Sequence, residues 1–365
     1  MKNRALKNIL QDTGIFTGGP KVVTIGGGTG LSVLLRGLKR YTSNLTAIVT
    51  VCDDGGGSGK LRADMGMLPP GDVRNCIMAL ANTEPIMEQL MQYRFKEGSL
   101  KGQSFGNLFI AALNDIYGSF DLAIKEISSV LAVTGKVLPV TLEDVVLFAE
   151  LEDGTVIKGE SQIPIKQQVT NQRIKKIFVK PSSCKPLPEA IQALEEADAI
   201  ILGPGSLYTS IIPNLLVKNI AKTISSTDAV KIYVSNIMTQ QGETIGYSLY
   251  DHINTIHQHA GKHIIDYAIV NKGKIPDSLL GKYRAENASP VQIDYANLRD
   301  EGIQIIEGDF INIENGYLRH NFNALAQCVF ELINEECLAK DKKRILDYYF
   351  VNGKLKKSRK YRELI

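Results

Sequence analysis

Asp53 and Asp54 stand side by side in TAIVTVCDDGGGSGKLR (residues 46–62), ahead of four glycines within five residues. Carboxylates next to a glycine-rich turn can accept hydrogen bonds from a ribose or hold Mg²⁺ beside phosphates. They can also cap the turn itself, a task that one of the two would fulfil. Gly55 and Gly56 open the run, and DGGGSGKL falls one residue short of the G-x-x-x-x-G-K-[ST] phosphate loop, with Leu61 where a hydroxyl would hold the metal. A phosphate loop of that type is therefore not expected.

A second glycine loop, IGGGTGLS (25–32), presents Gly26, Gly27, Gly28, Thr29 and Gly30 just before a helical pattern. Glycines admit close backbone approach, and a helix N-terminus offers unpaired N–H groups to an anion. The dinucleotide fingerprint fails, because Leu31 stands at its third glycine position. A tight turn would need about one glycine, so the other glycines point to a bound phosphate or nucleotide. Asp53 follows Gly28 by 25 residues, the distance at which an acid meets a ribose hydroxyl in doubly wound sheets.

Further loops follow the same plan. LPPGDVRN (68–75) places Asp72 at an expected helix N-cap, with Arg74 as a phosphate ligand and Asn75 beside it. GPGSLYTS (203–210) supplies Gly203, Gly205, Ser206 and Thr209, while GQSFGN and VSNIMTQ bring Asn107 and Asn236 to element ends. In contrast, DHINTIHQHAGKH (251–263) offers no metal site by spacing: Gly261 is expected to end the helix between His259 and His263. No nucleophile is paired with a base in any motif.

The elements needed to position these loops alternate in an α/β rhythm. Strands are expected at 21–25, 45–52, 199–202, 231–236 and 267–271, and helices at 31–41, 72–82, 107–118 and 189–198. The rhythm breaks over 136–180, where VVLFAELEDGTVIKGES reads as a hairpin with a type I′ turn at Asp153-Gly154 and IKKIFVK adds a strand. The expected fold is a Rossmann-like, mostly parallel sheet with helices on both faces and a small antiparallel β insertion at 136–180. The loops would then share the carboxyl edge of the sheet, where open α/β folds bind ligands.

Composition narrows the function class. With 365 residues, 44% hydrophobic and 22% charged, the chain is an ordinary globular protein, and no apolar run is long enough to span a membrane. The opening MKNRALKNILQDTG lacks an apolar signal core, and five cysteines without CxxC pairs point to a reducing, cytoplasmic setting. Net charge is +3, but residues 340–365 hold ten Lys or Arg against three acids, leaving the body mildly acidic. The division expected is an arm over 1–19, one domain over 20–339 and a basic tail over 340–365. The tail is read as a solvated terminal helix, with no specific nucleic acid as partner.

GGGTGLSVLLRGLK, NLTAIVTVCDDGGGSGKLR, PPGDVRN, GNLFIAAL, ADAIILGPGSLYTSIIPNLLV, SNIMTQQGET and LRH occur in that order over about residues 20–335. Together they resemble the 2-phospho-L-lactate transferase-like family, and within it the bacterial branch of gluconeogenesis factors. The resemblance implies a cytoplasmic protein binding a UDP-sugar, such as UDP-N-acetylglucosamine or UDP-glucose. It further implies a role in cell shape and envelope synthesis during gluconeogenic growth. On this reading no cofactor is required, partners are regulatory proteins yet to be identified, and a homodimer is open. The transferase branch implies the alternative, a Mg²⁺-dependent transferase using a nucleoside-diphosphate-activated donor, with Asp53 or Asp54 at the metal. By motif, Gly26 to Gly30 and Asp53 would meet the nucleotide, and Asn236 and Arg319 would close the site. Three positions depart from the pattern: Gln103 replaces a histidine, Gly57 a serine or alanine-like residue, and Asn321 an aspartate.

Overall fold

The computed structural model describes residues 19–170 and 172–340. The expected arm and basic tail lie outside them, save Gly19 and Lys340. The chain opens with β1 (Val22–Gly26), α1 (Gly28–Leu38), β2 (Leu45–Val49), α2 (Gly56–Met65) and α3 (Gly71–Leu80). Then come α4 (Pro85–Gln92), α5 (Phe105–Tyr117), α6 (Phe120–Val130), β3 (Lys136–Pro139), β4 (Val146–Leu151), β5 (Val156–Lys158), α7 (Gln162–Thr170) and β6 (Ile174–Lys180). The next elements are α8 (Pro188–Glu195), β7 (Ala199–Leu202), a π-turn (Leu207–Ile211), α9 (Ile212–Leu215), α10 (Ile220–Ser226) and β8 (Val230–Val234). The last are α11 (Leu249–Ala260), β9 (Tyr267–Asn271), α12 (Asp277–Ala285), α13 (Tyr295–Asp300), β10 (Gln304–Gly308), the hairpin β11 (Ile311–Glu314) and β12 (Tyr317–His320), and α14 (Phe322–Lys340).

Seven strands form one sheet in the order β10-β9-β8-β7-β1-β2-β3, and every pairing in it is parallel. Strands flanked by helices on both faces read as unbroken apolar runs, and β1 and β7 are buried at every residue. The chain builds outward from β1 to β3 on one side, then returns to β7 on the other. This places a topological switch point between β1 and β7, the crevice in which doubly wound folds bind ligands. Helix α1 buries Leu31, Leu34, Leu35 and Leu38, the i, i+3, i+4, i+7 stripe of an amphipathic helix. The Rossmann-like reading of the sequence therefore holds.

Two local expectations change. Lys136–Pro139 is not in the small sheet but pairs with β2 as the edge strand of the central one; the antiparallel sheet is β5-β4-β6. The hairpin between β4 and β5 closes through three residues, since the Leu151 and Thr155 backbones still pair, with Gly154 alone left-handed at φ 85°. A type I′ turn requires positive φ at both central residues, which Asp153 does not adopt. This is a type I turn followed by a left-handed glycine.

Candidate functional site

At the switch point the loops after β1 and β7 touch. Gly27, extended, precedes α1; a Cβ there would overlap the Asp72 carboxylate, and one on Gly30 would lie 2.5 Å from the Pro204 carbonyl oxygen. Gly28 has φ +67°, with nothing nearer its Cβ direction than Ser210 Oγ at 3.9 Å. Three of the four glycines are thus required by packing or backbone conformation, more than the one that a tight turn alone was expected to need. The first turn of α1 nonetheless opens to solvent, Thr29 being exposed and Gly28 and Gly30 half-buried. Gly205 lies on the facing loop, its Cβ direction 3.5 Å from the Gly27 carbonyl.

The acid pair divides its work. Asp53 Oδ1 accepts from the Gly55 N–H at 2.9 Å, closing the turn, while its Oδ2 lies beside Gly71. Asp54 Oδ1 accepts from the Ser161 N–H at 2.9 Å and so ties this loop to the segment between β5 and α7. Both carboxylates have backbone partners, and neither is left over. Asp72 was expected at the N-cap, but the N-cap is Pro70 and Asp72 is the second residue of α3, where it accepts from the Gly28 N–H. Burial, reinforced by Asp53, pushes its carboxyl up to about 6.

Arg74 gathers the next group. Its guanidinium donates to Ser104 Oγ (2.5 Å), Asn107 Oδ1 (2.8 Å) and Asn75 Oδ1 (2.9 Å), and Asn107 Nδ2 donates to Ser58 Oγ at 3.4 Å. Arg74, Asn75 and Asn107 therefore meet as one network that joins α3 to α5. Burial, with Arg94, lowers the Arg74 pKa, while Asp72 and Asp53 oppose that shift. Gly57 and Gln103 face each other: a Cβ on Gly57 would sit 2.8 Å from Gln103 Oε1.

Beyond β7 and β8, Ser206 Oγ donates to Gln240 Oε1 at 2.8 Å. Thr209 is buried and donates to Glu243, whose carboxylate also takes the Tyr208 N–H and the Gln240 amide. Burial pushes Glu243 up to about 7 despite these donors. Glu160 is pushed further, to about 8, by burial and then by Asp53, Glu243, Asp72 and Asp54. Gly203 is buried behind the loop. Asn236 is half-buried two residues past β8, and Arg319 is exposed on β12, its guanidinium near the Leu318 carbonyl and the Tyr317 ring. The residue of β12 that reaches this edge is His320, whose Nε2 lies 3.2 Å from the Ser235 carbonyl.

The loops thus bring together the Gly26–Gly30 turn, Asp53, Arg74, Asn75, Asn107, Gly205 and Ser206, and leave Arg319 at the margin. Sequence reasoning omitted Ser58, Glu160, Gln240 and Glu243. Gln240 and Glu243 lie within the quoted SNIMTQQGET motif, whereas Glu160 sits in the insertion with no local pattern to mark it. A cleft of carboxylates with raised pKa values around one arginine can bind an anion only with added positive charge or retained protons.

Comparison with known proteins identifies the family. The family model described as 2-phospho-L-lactate transferase CofD matches residues 22–311. The chain is 48% identical over 317 residues to the gluconeogenesis factor of Bacillus subtilis, covering 87% of this chain and 99% of the relative. It is 43% identical over 323 residues to that of Listeria monocytogenes, covering 88% and 98%. A crystal structure of a UPF0052 family member from Bacillus halodurans superposes with a TM-score of 0.81 at 47% identity, covering 84% of this chain and 98% of that one. The chain belongs to the 2-phospho-L-lactate transferase CofD family.

Proposed function

We propose that this member of the family binds a UDP-sugar in the switch-point cleft and holds it without consuming it. The observation that carries this reading is the solvent-open first turn of α1 facing the Gly205–Ser206 loop, with Asp53 and Arg74 on the flank. The N–H groups of the turn beyond Gly28, whose own N–H is taken by Asp72, suit a diphosphate. Asp53 Oδ2 is suited to a nucleoside hydroxyl, and Asn236 and the exposed Arg319, which no carboxylate pairs among the described residues, would complete the site. UDP-N-acetylglucosamine and UDP-glucose are the ligands proposed. The name shared by the relatives, gluconeogenesis factor, supports a role in gluconeogenic growth; the action we propose there is regulatory, in the cytoplasm, on cell shape and envelope synthesis, through partner proteins or a homodimer.

One observation favours a second reading, a transferase that uses a nucleoside-diphosphate-activated donor. Asp53 and Asp72 lie near enough to Glu160 for their charge to raise its pKa, and carboxylates beside substrate phosphates can hold Mg²⁺. Asp53 suits that task better than Asp54, whose Oδ1 anchors Ser161 and whose Oδ2 faces Gly159. The ion would supply charge neutralisation of the leaving diphosphate.

Calorimetry of the full chain against UDP-N-acetylglucosamine, UDP-glucose and GDP, with and without Mg²⁺ and with product analysis, separates the two. Binding with the UDP-sugar recovered intact supports the first reading. Release of UMP, UDP or a transferred sugar overturns it. Arg319→Ala should weaken binding about ten-fold or more, since a charge-assisted contact contributes roughly 1.5–3 kcal/mol.

A further inference from the structure

At the opposite edge of the sheet, where β8, β9 and β10 begin, one histidine makes no side-chain hydrogen bond among the described residues. The other two histidines of α11 are each held by the helix: His252 Nδ1 meets the Ser248 carbonyl at 2.8 Å, while its Nε2 is buried without a partner among the described residues. His259 Nδ1 meets the Thr255 carbonyl at 2.8 Å, and its Nε2 accepts from the Ile177 N–H at 3.0 Å. His257 is different. It is 8% exposed, and its Nε2 is buried with no hydrogen-bond partner among the described residues. A buried, unpaired imidazole nitrogen is costly and needs a partner that the chain itself does not provide.

Two further donors lie close to the His257 ring. Helix α11 stops at Ala260, Gly261 turns left-handed, and the chain folds back so that the His263 ring lies 4.6 Å from the His257 ring. His263 Nδ1 is 3.3 Å from Glu301 Oε2, just past α13. One donor atom from each of His257, His263 and Glu301 lies within 4.8 Å of the other two. We propose that these three residues form a binding site for a zinc-class divalent ion, built where α11, the 261–264 turn and the end of α13 meet.

The donor chemistry selects the ion. Two imidazoles and one carboxylate suit Zn²⁺ and its transition-metal neighbours rather than Mg²⁺ or Ca²⁺, which prefer oxygen. Tetrahedral Zn²⁺ with bonds of ~2.0–2.1 Å sets ligand atoms ~3.4 Å apart. His263 and Glu301 already meet that spacing, and their side chains, 71% and 31% exposed, are free to close on the buried His257. A groove of about 560 Å³ lined by His263, Glu301, Lys231 and Asp266 leaves water access to a fourth position.

The test is calorimetric titration of chelator-treated full-length protein with ZnCl₂, with MgCl₂ in parallel. One equivalent of Zn²⁺ should bind with sub-micromolar affinity, and Mg²⁺ should give no heat. His263→Ala and Glu301→Gln, both at exposed side chains, should each lower Zn²⁺ affinity at least ten-fold while leaving the circular dichroism spectrum unchanged. X-ray absorption of the zinc-loaded protein should report two imidazole ligands at about 2.0–2.1 Å. Absence of binding, or an affinity that neither substitution changes, would overturn the proposal.

Discussion

A carbon atom added at Gly30 and one added at Gly28 should read out different things. Gly30→Ala places its Cβ 2.5 Å from the Pro204 backbone, which has no flexible end to move aside. It should cost about 1–3 kcal/mol in urea unfolding. Gly28→Ala meets only open space and carries the roughly 1–2 kcal/mol of a left-handed alanine, yet its Cβ projects into the proposed diphosphate position. It should therefore be the milder change for stability and the harsher one for UDP-sugar affinity; the reverse order would remove the loop from the site. Gly57 and Gln103 allow a sharper test. Gly57→Ala alone should destabilise by about 1 kcal/mol. Combined with Gln103→Ala, it should show a coupling of at least about 0.5 kcal/mol in a double-mutant cycle, and additivity would mean that the two positions do not interact. At this scale the sequence was only partly legible. That glycines clustered after β1 could be counted, but whether a given one faced a ligand, a carboxylate or a carbonyl depends on which loop lies opposite. Pro204 is 174 positions from Gly30, and no local pattern announces that contact.

Arg74 acts between elements rather than within one. Its guanidinium fork spans α3 and the start of α5, and the three oxygens it satisfies all belong to uncharged side chains. Arg74→Met should cost about 2–4 kcal/mol in urea unfolding at pH 7, because it strands buried acceptors and removes the cation facing Asp53 and Asp72. Arg74→Lys keeps the charge but not the planar fork, and should restore less than half of that loss. Full rescue by lysine would show that charge alone matters. The elements themselves were read with uneven success, for physical reasons. Parallel strands buried on both faces announce themselves as apolar runs, so β2, β7 and β9 fell within their expected positions, and β1 and β8 overran theirs by one residue each. Helix α2 did not, since Gly56, Gly57 and Gly59 give it poor intrinsic propensity and tertiary packing must hold it. Edge strand β3 was assigned to the insertion because only the pairing with β2, invisible in a short run, distinguishes the two.

The charge of the cleft is a property of the whole molecule, since its acids come from the loops after β2, β5 and β8 and from α3. Glu160 and Glu243 hold protons up to about pH 8 and 7, mainly through burial. In the unfolded chain both ionise near 4.5. Native protein thus binds more protons than unfolded protein above that value, and stability must fall as pH rises towards the folded values. Below about pH 6.5 the buried histidines oppose this, since His257 and His320, lowered to about 4 by burial, take up protons only on unfolding. Between pH 6.5 and 8 the acids act alone. The ligand-free chain should lose about 1–2 kcal/mol across that window in urea unfolding, and Glu160→Gln should remove most of the slope. A flat profile in the wild type would mean that Glu160 is solvated and ionised at neutral pH. The same protons bear on the ligand: each carboxylate that ionises adds repulsion against a diphosphate in the same cleft. UDP-sugar affinity should therefore weaken from pH 6.5 to 8 in the absence of Mg²⁺. If Mg²⁺ abolishes that dependence, the ion sits between acids and phosphates, as a transferase would need. If the dependence persists unchanged, retained protons and Arg74 carry the charge balance, and the cleft is built to hold its ligand rather than to activate it.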